Sequence, residues 1–350
     1  MKNKPLQTGM TLIEIMVSLL IGAFLLGGVL QTFVGSKRTN QMLEALSRMQ
    51  ENGRYALDFL ANDLRMAGFI GCNRPTSPIN DILNMPAAPG DFLYRFDRAI
   101  EGFEATSATD WTPVINAAIT SPVGGSDVIT IRRADNINAF TIASHPTGAS
   151  PITLDGTATT ANLQAAGFLD SLGANNCALA VASTCSVAKV FQIAAIAGNN
   201  LSHAVGGCGI GNSTADLGAP FQGGQVYPIH TISYFIRTNP NGQPSLYQRI
   251  DGNNAAELVE GIEQMQVWYG VDTPDPSVEA ADGTANYYVT ADQLDTGKNK
   301  IISVRISLLA VSLESVASGP VQFIYNGNRT QTTDGLLRRV FTSTISIRNR

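Results

Sequence analysis

An apolar run near the N-terminus constrains the fold of this chain more than any other feature of its sequence. Residues 10–30 contain a single charged side chain, Glu14. As a helix with a rise of about 1.5 Å per residue the run would be roughly 31 Å long, which matches a bilayer core of about 30 Å. The sequence therefore predicts a transmembrane helix at residues 10–30.

Two other interpretations of this run have to be weighed. Lys2 and Lys4 form the basic start of a secretory signal peptide, but the run is longer than the roughly 7–15 apolar residues of such signals and no small-residue cleavage site follows it. An ordinary uncleaved anchor fits the apolarity but leaves Glu14 unexplained, because a carboxylate at the centre of a membrane helix costs about 2.5–3.5 kcal/mol. Glu14 therefore predicts a partner cation, which residues 10–30 do not contain.

The residues around Glu14 resemble the class III leader of type IV prepilins. They form a short basic leader, then Gly9, Met10 and Glu14 in that order, followed by an unbroken apolar run. The resemblance implies that a membrane aspartyl peptidase, the prepilin peptidase, cuts between Gly9 and Met10 and that the new Met10 amine is N-methylated. It also implies that Glu14 pairs with the terminal amine of a neighbouring subunit. Met10 departs from the phenylalanine that the family usually has after the cut.

Helical periodicity continues beyond the apolar run. Apolar residues recur at spacings of three and four through residues 43–64, as on one face of a helix. Asn52-Gly53 is a local interruption of this pattern, and Gly68 is a stop signal. The pattern predicts one helix over residues 10–67, with its first half in the membrane and its second half packed on a globular head.

The rest of the chain changes to strand and loop patterns. Asn-Pro-Asn-Gly at residues 239–242 lies between two apolar, β-rich segments and is a strong hairpin signal. Residues 104–125 and 143–225 are weakly charged and rich in small side chains, which predicts long surface loops or short strands. The expected fold class is α+β, a long N-terminal helix on an antiparallel β-sheet head. The predicted strands lie at residues 128–131, 190–193, 229–237, 245–250, 263–269, 303–311 and 340–347, with a short helical turn or the start of a strand at 255–261.

Three further segments resemble the PilW class of minor pilins. They are residues 51–72, 257–272 and 338–350, so the resemblance covers the helix and the C-terminal third, whereas the middle, about residues 80–225, shows none. Residues 257–272 are also similar to the large minor pseudopilin of type II secretion. The resemblance therefore implies the pilin fold but leaves the choice between these two machines open.

The resemblance also implies a function and a division of the chain. The leader would be residues 1–9, the helix 10–67 with its membrane span at 10–30, and the periplasmic or extracellular head 68–350. The protein would be a non-enzymatic minor pilin that takes part in type IV pilus assembly, in a tip or priming complex of pili used for adhesion and twitching motility. Its partners would be other minor and major pilins, the prepilin peptidase, the inner membrane and a tip adhesin. It would lie in the inner membrane before assembly and in the pilus at the cell surface afterwards.

Four cysteines, Cys72, Cys177, Cys185 and Cys208, predict disulfide bonds. An even number in a domain expected to be periplasmic favours disulfides, and neither Cys-x-x-Cys nor a Cys/His zinc spacing occurs. Three pairings are possible. We favour a local bridge between Cys177 and Cys185, which leaves Cys72 to pair with Cys208.

No metal, cofactor or catalytic site is expected from the other motifs. The glycine-rich residues 206–211 lack the spacing of a dinucleotide-binding or phosphate-binding loop. The acidic residues within 272–282 lack the alternating ligands of an EF-hand, which favours a solvated turn over a calcium site. His145, His203 and His230 lie far apart in the sequence, which disfavours a histidine-based site.

Composition separates the remaining alternatives. The chain is 44% hydrophobic and only 15% charged, with a net charge of −5, so it is too apolar to be disordered. The acidic balance argues against nucleic-acid binding and therefore against a DNA-binding pilin. A membrane-anchored periplasmic enzyme would need a convergent group of titratable residues, which the few histidines disfavour.

Overall fold

The computed structural model describes residues 9, 11–72, 80–86, 90–207, 209–272, 283–294 and 300–348. They form an α+β fold with a long N-terminal helix and a mainly antiparallel β-sheet head, as the sequence predicts. The helices are α1 (Leu12–Met66) and α2 (Thr160–Ala165), with 3-10 turns at Phe92–Tyr94 and Ala291–Gln293. The strands are β1 (Asn80–Asp81), β2 (Ile100–Ala105), β3 (Trp111–Thr112), β4 (Val128–Ala134), β5 (Phe140–Ser144), β6 (Ile152–Leu154), β7 (Leu179–Ser183), β8 (Ala188–Gln192), β9 (Ala195–Ala197), β10 (Asn200–Ser202), β11 (Gln225–Thr238), β12 (Pro244–Ile250), β13 (Ala256–Glu260), β14 (Ile262–Asp272), β15 (Tyr287–Val289), β16 (Lys300–Val311), β17 (Val321–Tyr325), β18 (Asn328–Thr332) and β19 (Arg338–Ser346).

α1 runs without a break from the apolar segment into the head. Its first half is exposed, and its buried residues begin at Met49. They then recur at spacings of three and four, which places them on one helix face. This face packs against β4, β13, β16 and β19. The buried residues are Met49, Gly53, Ala56, Leu60, Ala61 and Leu64.

Gly53 allows α1 and β19 to approach closely. A Cβ atom at Gly53 would lie 2.5 Å from ring atoms of Phe341 on β19. The neighbouring Asn52 donates from Nδ2 to the carbonyl oxygen of Glu260, at 2.9 Å. The Asn-Gly pair therefore does not interrupt the helix. It is the place where the helix docks on the sheet, since glycine removes a steric obstacle and asparagine satisfies a carbonyl at a strand end.

Asp63 joins the same helix to the larger sheet, which has 13 strands, β1–β13. Its Oδ1 accepts a hydrogen bond from Arg133 on β4, at 2.6 Å, and its Oδ2 accepts one from the Tyr234 hydroxyl on β11. Gln248 on β12 donates to that hydroxyl oxygen from Nε2, at 2.8 Å. Burial, together with the Asp63 carboxylate, raises the pKa of Tyr234, so the tyrosine stays a donor. One carboxylate thus connects α1 to three strands.

β11 joins two groups of strands in the larger sheet. Its first residues, 225–228, pair with β7, and two of them also pair with β5. From Ile229 onward the strand pairs with β4, and from Ile232 with β12. Pro228 stands at this change of neighbours, and its carbonyl oxygen accepts from the Asp135 amide at 2.8 Å. A proline has no amide hydrogen to contribute to a sheet ladder, which suits a position where one pairing ends.

The predicted hairpin between β11 and β12 is confirmed. The Asn239 amide donates to the Gln243 carbonyl at 2.8 Å, and the Gly242 amide donates to the Asn239 carbonyl at 2.9 Å. Gly242 has φ +82°, which glycine adopts without strain. The segment at 255–261, left open between helical turn and strand, forms β13.

A smaller antiparallel sheet carries the C-terminal part of the chain. Its order is β15-β14-β16-β19. Its inner face shares one hydrophobic core with α1 and the larger sheet, whereas β17 and β18 form a separate hairpin. The core includes Leu60 from α1, Ile131 and Tyr234 from the larger sheet, and Val267 and Ile306 from the smaller one.

The middle of the chain is a packed lobe. Residues 140–226 contain β5–β10 and α2 around a core of their own. The alternative of short strands at 143–225 is therefore correct for β6–β10, whereas residues 203–207 and 209–224 lie outside the helices and strands, as the alternative of long loops predicts. Small side chains such as Ala180 and Ala182, both fully buried, allow the strands to pack closely, which explains the weak hydrophobic pattern. The aromatic core residues are Phe140, Phe168, Phe191 and Phe221.

Cys72 and Cys185 form a disulfide, so the favoured pairing of Cys72 with Cys208 and of Cys177 with Cys185 is wrong. The two Cα atoms lie 4.7 Å apart although the residues are 113 positions apart in sequence. Cys177 is also disulfide-bonded. Cys208 lies outside the described residues.

The course of the chain after α1 explains this pairing. Gly71, with φ +95°, passes directly over β7 and β11, where a Cβ atom would lie 2.8 Å from Ser183 Oγ and from the Tyr227 ring. The next residue, Cys72, therefore faces the turn between β7 and β8, which carries Cys185. The bridge ties the end of α1 to the lobe.

Substituting Gly53 with valine is expected to destabilise the head. The new side chain would collide with the Phe341 ring, and overpacking of this kind costs about 1–3 kcal/mol. Gly35→Val is the matched control, because a Cβ atom at Gly35 meets nothing within 4 Å, and we expect it to change stability by less than about 0.5 kcal/mol. Urea unfolding of the full chain in detergent, followed by tryptophan fluorescence, measures both. Equal stability of the two variants would contradict the close-approach role.

Candidate functional site

The candidate site lies at the start of α1, where Thr11 and Glu14 form a capping box. The Thr11 hydroxyl oxygen accepts from the Glu14 amide at 3.3 Å. In return, Glu14 Oε2 accepts from the Thr11 amide at 3.0 Å and from the Thr11 hydroxyl at 3.1 Å. These bonds satisfy backbone donors that a helix start leaves unpaired. Thr11 was not singled out from the sequence, although Thr-x-x-Glu before an apolar run is the signature of this motif.

The apolar side chains on the first half of α1 are largely exposed. Leu12 is 74% exposed and Phe24 is 84% exposed. α1 is long and apolar enough to cross a membrane, by length and composition, and none of its most apolar stretch is buried in the protein. The apolar surface of this half of α1 therefore requires another cover, either lipid or other helices.

Within the described residues, only one of the two carboxylate oxygens of Glu14 accepts hydrogen bonds. Both donors from Thr11 reach Oε2, and the N-terminal end of a helix favours a negative charge. Within the described part of the chain, Oε1 has no hydrogen-bond partner. The Ser18 hydroxyl donates to the Glu14 carbonyl at 2.6 Å and leaves the carboxylate untouched. The arrangement can hold one external cation next to the first turn of α1.

The cleavage position itself is described only in part. Within the described residues, a Cβ atom at Gly9 would meet nothing within 4 Å. Met10 lies outside the described residues. Cleavage after Gly9 and methylation of Met10 stay predictions.

Two histidines that are far apart in sequence meet in the core of the lobe. The ring centroids of His145 and His203 lie 5.6 Å apart, and both residues are buried. The Phe221 amide donates to His145 Nδ1 at 3.0 Å, and His203 Nε2 contacts the Ser150 carbonyl at 2.8 Å. Burial, and secondarily the neighbouring His203, lowers the pKa of His145. This pair is part of the packed core, a contact that sequence distance did not predict.

One buried acid, Asp127, links the two sheets. Asp127 is 2% exposed and accepts from the Ala105 amide at 3.0 Å and from the Val267 amide at 2.8 Å. Burial raises its pKa to about 6. Burial, with Asp127 and Asp292 nearby, raises the pKa of Glu104 to about 7. Asp127 thus ties β2 to β14, a structural role that its position before β4 did not reveal.

The remaining predicted segments do not form a site with Glu14. Within the described residues, no group of three or more His, Cys, Asp or Glu side chains is arranged to hold a metal ion. Asp272 is buried and accepts from the Gly283 amide at 2.9 Å. The rest of the acidic segment, through Asp282, lies outside the described residues, as does Cys208 of the glycine-rich segment.

Comparison with known families covers both ends of the chain. Residues 4–30 match a family model described as the prokaryotic N-terminal methylation motif. Residues 233–349 match one described as Type IV Pilus-assembly protein W, a range that begins within β11 and includes β12–β19. No curated protein and no solved structure matches the chain.

The two matched ranges cover the start of α1 and the strands on which the rest of α1 packs. The first contains the capping box and the exposed apolar half of α1, and the second contains strands on which the buried half of α1 packs. The lobe at residues 140–226 lies outside both matched ranges. Together, the long apolar helix, the antiparallel head and the two matches support this chain as a type IV minor pilin of the PilW class.

Proposed function

We propose that this protein acts in a tip or priming complex of a type IV pilus, as a structural and non-enzymatic subunit. The family matches support a role in type IV pilus assembly. The observation that carries the finer proposal is the shape of the head. A helical shaft packs its subunits side by side, and each added bulk on a head must fit between neighbours, whereas a subunit at the end of the shaft has free space beyond it.

The lobe at residues 140–226 is the part of the head that would have to fit between neighbouring subunits. The strands that pack on α1 are β4, β13, β16 and β19, whereas β5–β10 reach the rest of the head through β11. The Cys72–Cys185 disulfide links the lobe to the segment that follows α1, which limits how far the lobe can move aside. A subunit of this form suits a terminal position better than a repeated one.

Glu14 supplies the proposed assembly contact. In lipid an acid without a cation is costly, and the Thr11 donors offset only part of that cost. After cleavage between Gly9 and Met10, the Met10 amine of a neighbouring subunit would reach the open Oε1 of Glu14. Because this pair forms at one relative height of two helices, it would set their axial register. The capping box would persist after cleavage, since the Thr11 amide belongs to the peptide bond with Met10.

The proposed location follows from the same parts. The subunit would wait in the inner membrane with its head in the periplasm, and would enter the pilus with other minor and major pilins after processing by the prepilin peptidase. A tip adhesin is a further proposed partner. A minor pseudopilin of a type II secretion system would use the same helix and leader, and the PilW match at residues 233–349 favours the pilus.

Glu14→Gln separates the charge of Glu14 from its capping role. Glutamine also serves at this position of a capping box, so helix capping is kept while the charge is lost. We expect Glu14→Gln and Glu14→Val to be cleaved normally and both to reduce incorporation into pili at least about tenfold, given that a buried ion pair left without one partner costs about 3–5 kcal/mol. Immunoblots of cell and sheared-pilus fractions measure cleavage and incorporation. Normal incorporation of Glu14→Gln at normal protein level would contradict the charge pairing.

Immunogold labelling tests the terminal position. With antibodies against the head, we expect gold at one end of each pilus and at the cell envelope. A strain that lacks the gene is the control for labelling. Even labelling along the shaft would contradict the tip assignment while leaving the Glu14 contact intact.

A further inference from the structure

We propose that a cavity beside the β11–β12 hairpin binds a single oxyanionic group, such as a sulfate, a phosphate or a carboxylate. The cavity has a volume of about 340 Å³, within the range of small-molecule sites. Two arginines, Arg237 and Arg249, line it together with the polar side chains of Thr120, Asn253 and Asn254. Among the described residues, no carboxylate side chain lines it. This proposal does not depend on where in the pilus the subunit lies.

The hairpin register brings the two arginines to one face. Arg237 on β11 is opposite Ser245, and Arg249 on β12 is opposite Ser233. Positions 233 and 237 of one strand lie four residues apart, so their side chains point to the same side of the sheet. The segments 117–120 and 252–255 form the walls on either side. The hairpin strands thus carry the two arginines and turn segments supply the rest of the lining, and Arg237 and Arg249 line one cavity although 12 positions separate them in the sequence.

Each guanidinium is held in place without an ion pair. Arg249 Nε donates to the Asn253 carbonyl at 3.0 Å. Arg237 lies over the Tyr247 ring, with 5.1 Å from Cζ to the ring centroid. Within the described residues neither arginine forms a salt bridge, and burial lowers the pKa of Arg249. Partial burial of a guanidinium without a carboxylate partner has a cost, and an oxyanion in the cavity would offset it.

The nearby acids are engaged elsewhere. Asp251 acts on Arg249 through space, but its carboxylate accepts from the Thr231 amide at 2.8 Å and contacts His230 Nδ1 at 2.7 Å. Glu257, beside Tyr247, accepts from Asn239 Nδ2 at 2.9 Å. Neither acid lines the cavity. Arg237 and Arg249 are therefore the charged side chains that line the cavity among the described residues.

The chemistry of the lining favours one compact anion. A planar guanidinium presents paired donors that match two oxygens of a carboxylate, sulfate or phosphate. The amides of Asn253 and Asn254 and the Thr120 hydroxyl offer further hydrogen bonds to the remaining oxygens. Duplex DNA fits less well, because a polyanion is bound by an extended row of cations, whereas this protein carries a net charge of −5 and the two arginines lie within one concave site.

Anion titration of the full chain in detergent micelles tests the proposal. The probes are sodium sulfate, sodium phosphate and sodium glucuronate, each at constant ionic strength, with heat of binding as the measurement. We expect at least one of them to bind with one-to-one stoichiometry. Arg249→Gln should weaken binding at least about tenfold, since a hydrogen bond to a charged group contributes about 1.5–3 kcal/mol. Arg249→Lys should weaken it less, because the charge is kept and only the paired donors are lost.

Arg329→Gln is the matched control. It removes the same charge from the exposed hairpin strand β18, outside the cavity, and should bind the anion like the unchanged protein. Thermal unfolding of every variant checks the fold, and Arg237→Gln replaces Arg249→Gln if the latter does not fold. Absence of binding by all three anions would overturn the proposal, as would equal weakening by Arg329→Gln. Binding of duplex DNA that requires both arginines and falls steeply with salt would also overturn it, in favour of a polyanion site.

Discussion

Burial of one face of α1 is the interaction on which the rest of the head depends. The buried face, from Met49 to Leu64, lies over a core that both sheets share. Without the helix, apolar side chains of two sheets would be exposed to water. This exposure costs a free energy of about 25 cal/mol per Å² of apolar surface. Gly53 sets how closely the helix approaches the smaller sheet, and Asp63 fixes it to the larger one. The same helix then continues, with no turn, into an apolar segment that the head does not cover.

That uncovered segment places opposite demands on one residue. Glu14 serves the helix start by accepting from Thr11, and it keeps an oxygen that no described residue satisfies. A fully satisfied acid would have no reason to bind a neighbour, and an unsatisfied one would oppose membrane insertion. The capping box lies between these limits. This balance is the physical basis of the assembly contact that we propose for Glu14.

Elements that depend on local sequence patterns were predicted better than contacts between residues far apart in the sequence. α1, the hairpin at residues 239–242 and most strands followed from periodicity and turn residues. The Cys72–Cys185 pair did not, because it depends on how β7 pairs with β11. The sequence predicted the lobe only in part, because buried alanines such as Ala180 carry little hydrophobic signal. At the sites, Glu14 was predictable from its surroundings and Thr11 from its spacing, whereas the arginine pair required the register of the hairpin.

We propose that α1 of the mature protein begins next to a new amine, adjacent to its own cap. Mass spectrometry of the N-terminal peptide of the protein isolated from membranes tests this most directly. We predict a peptide that starts at Met10 and carries one N-methyl group. A peptide that starts at Met1, or one that starts beyond residue 30, would contradict the account, because Glu14 would then lack either the neighbouring amine or a place in the mature chain.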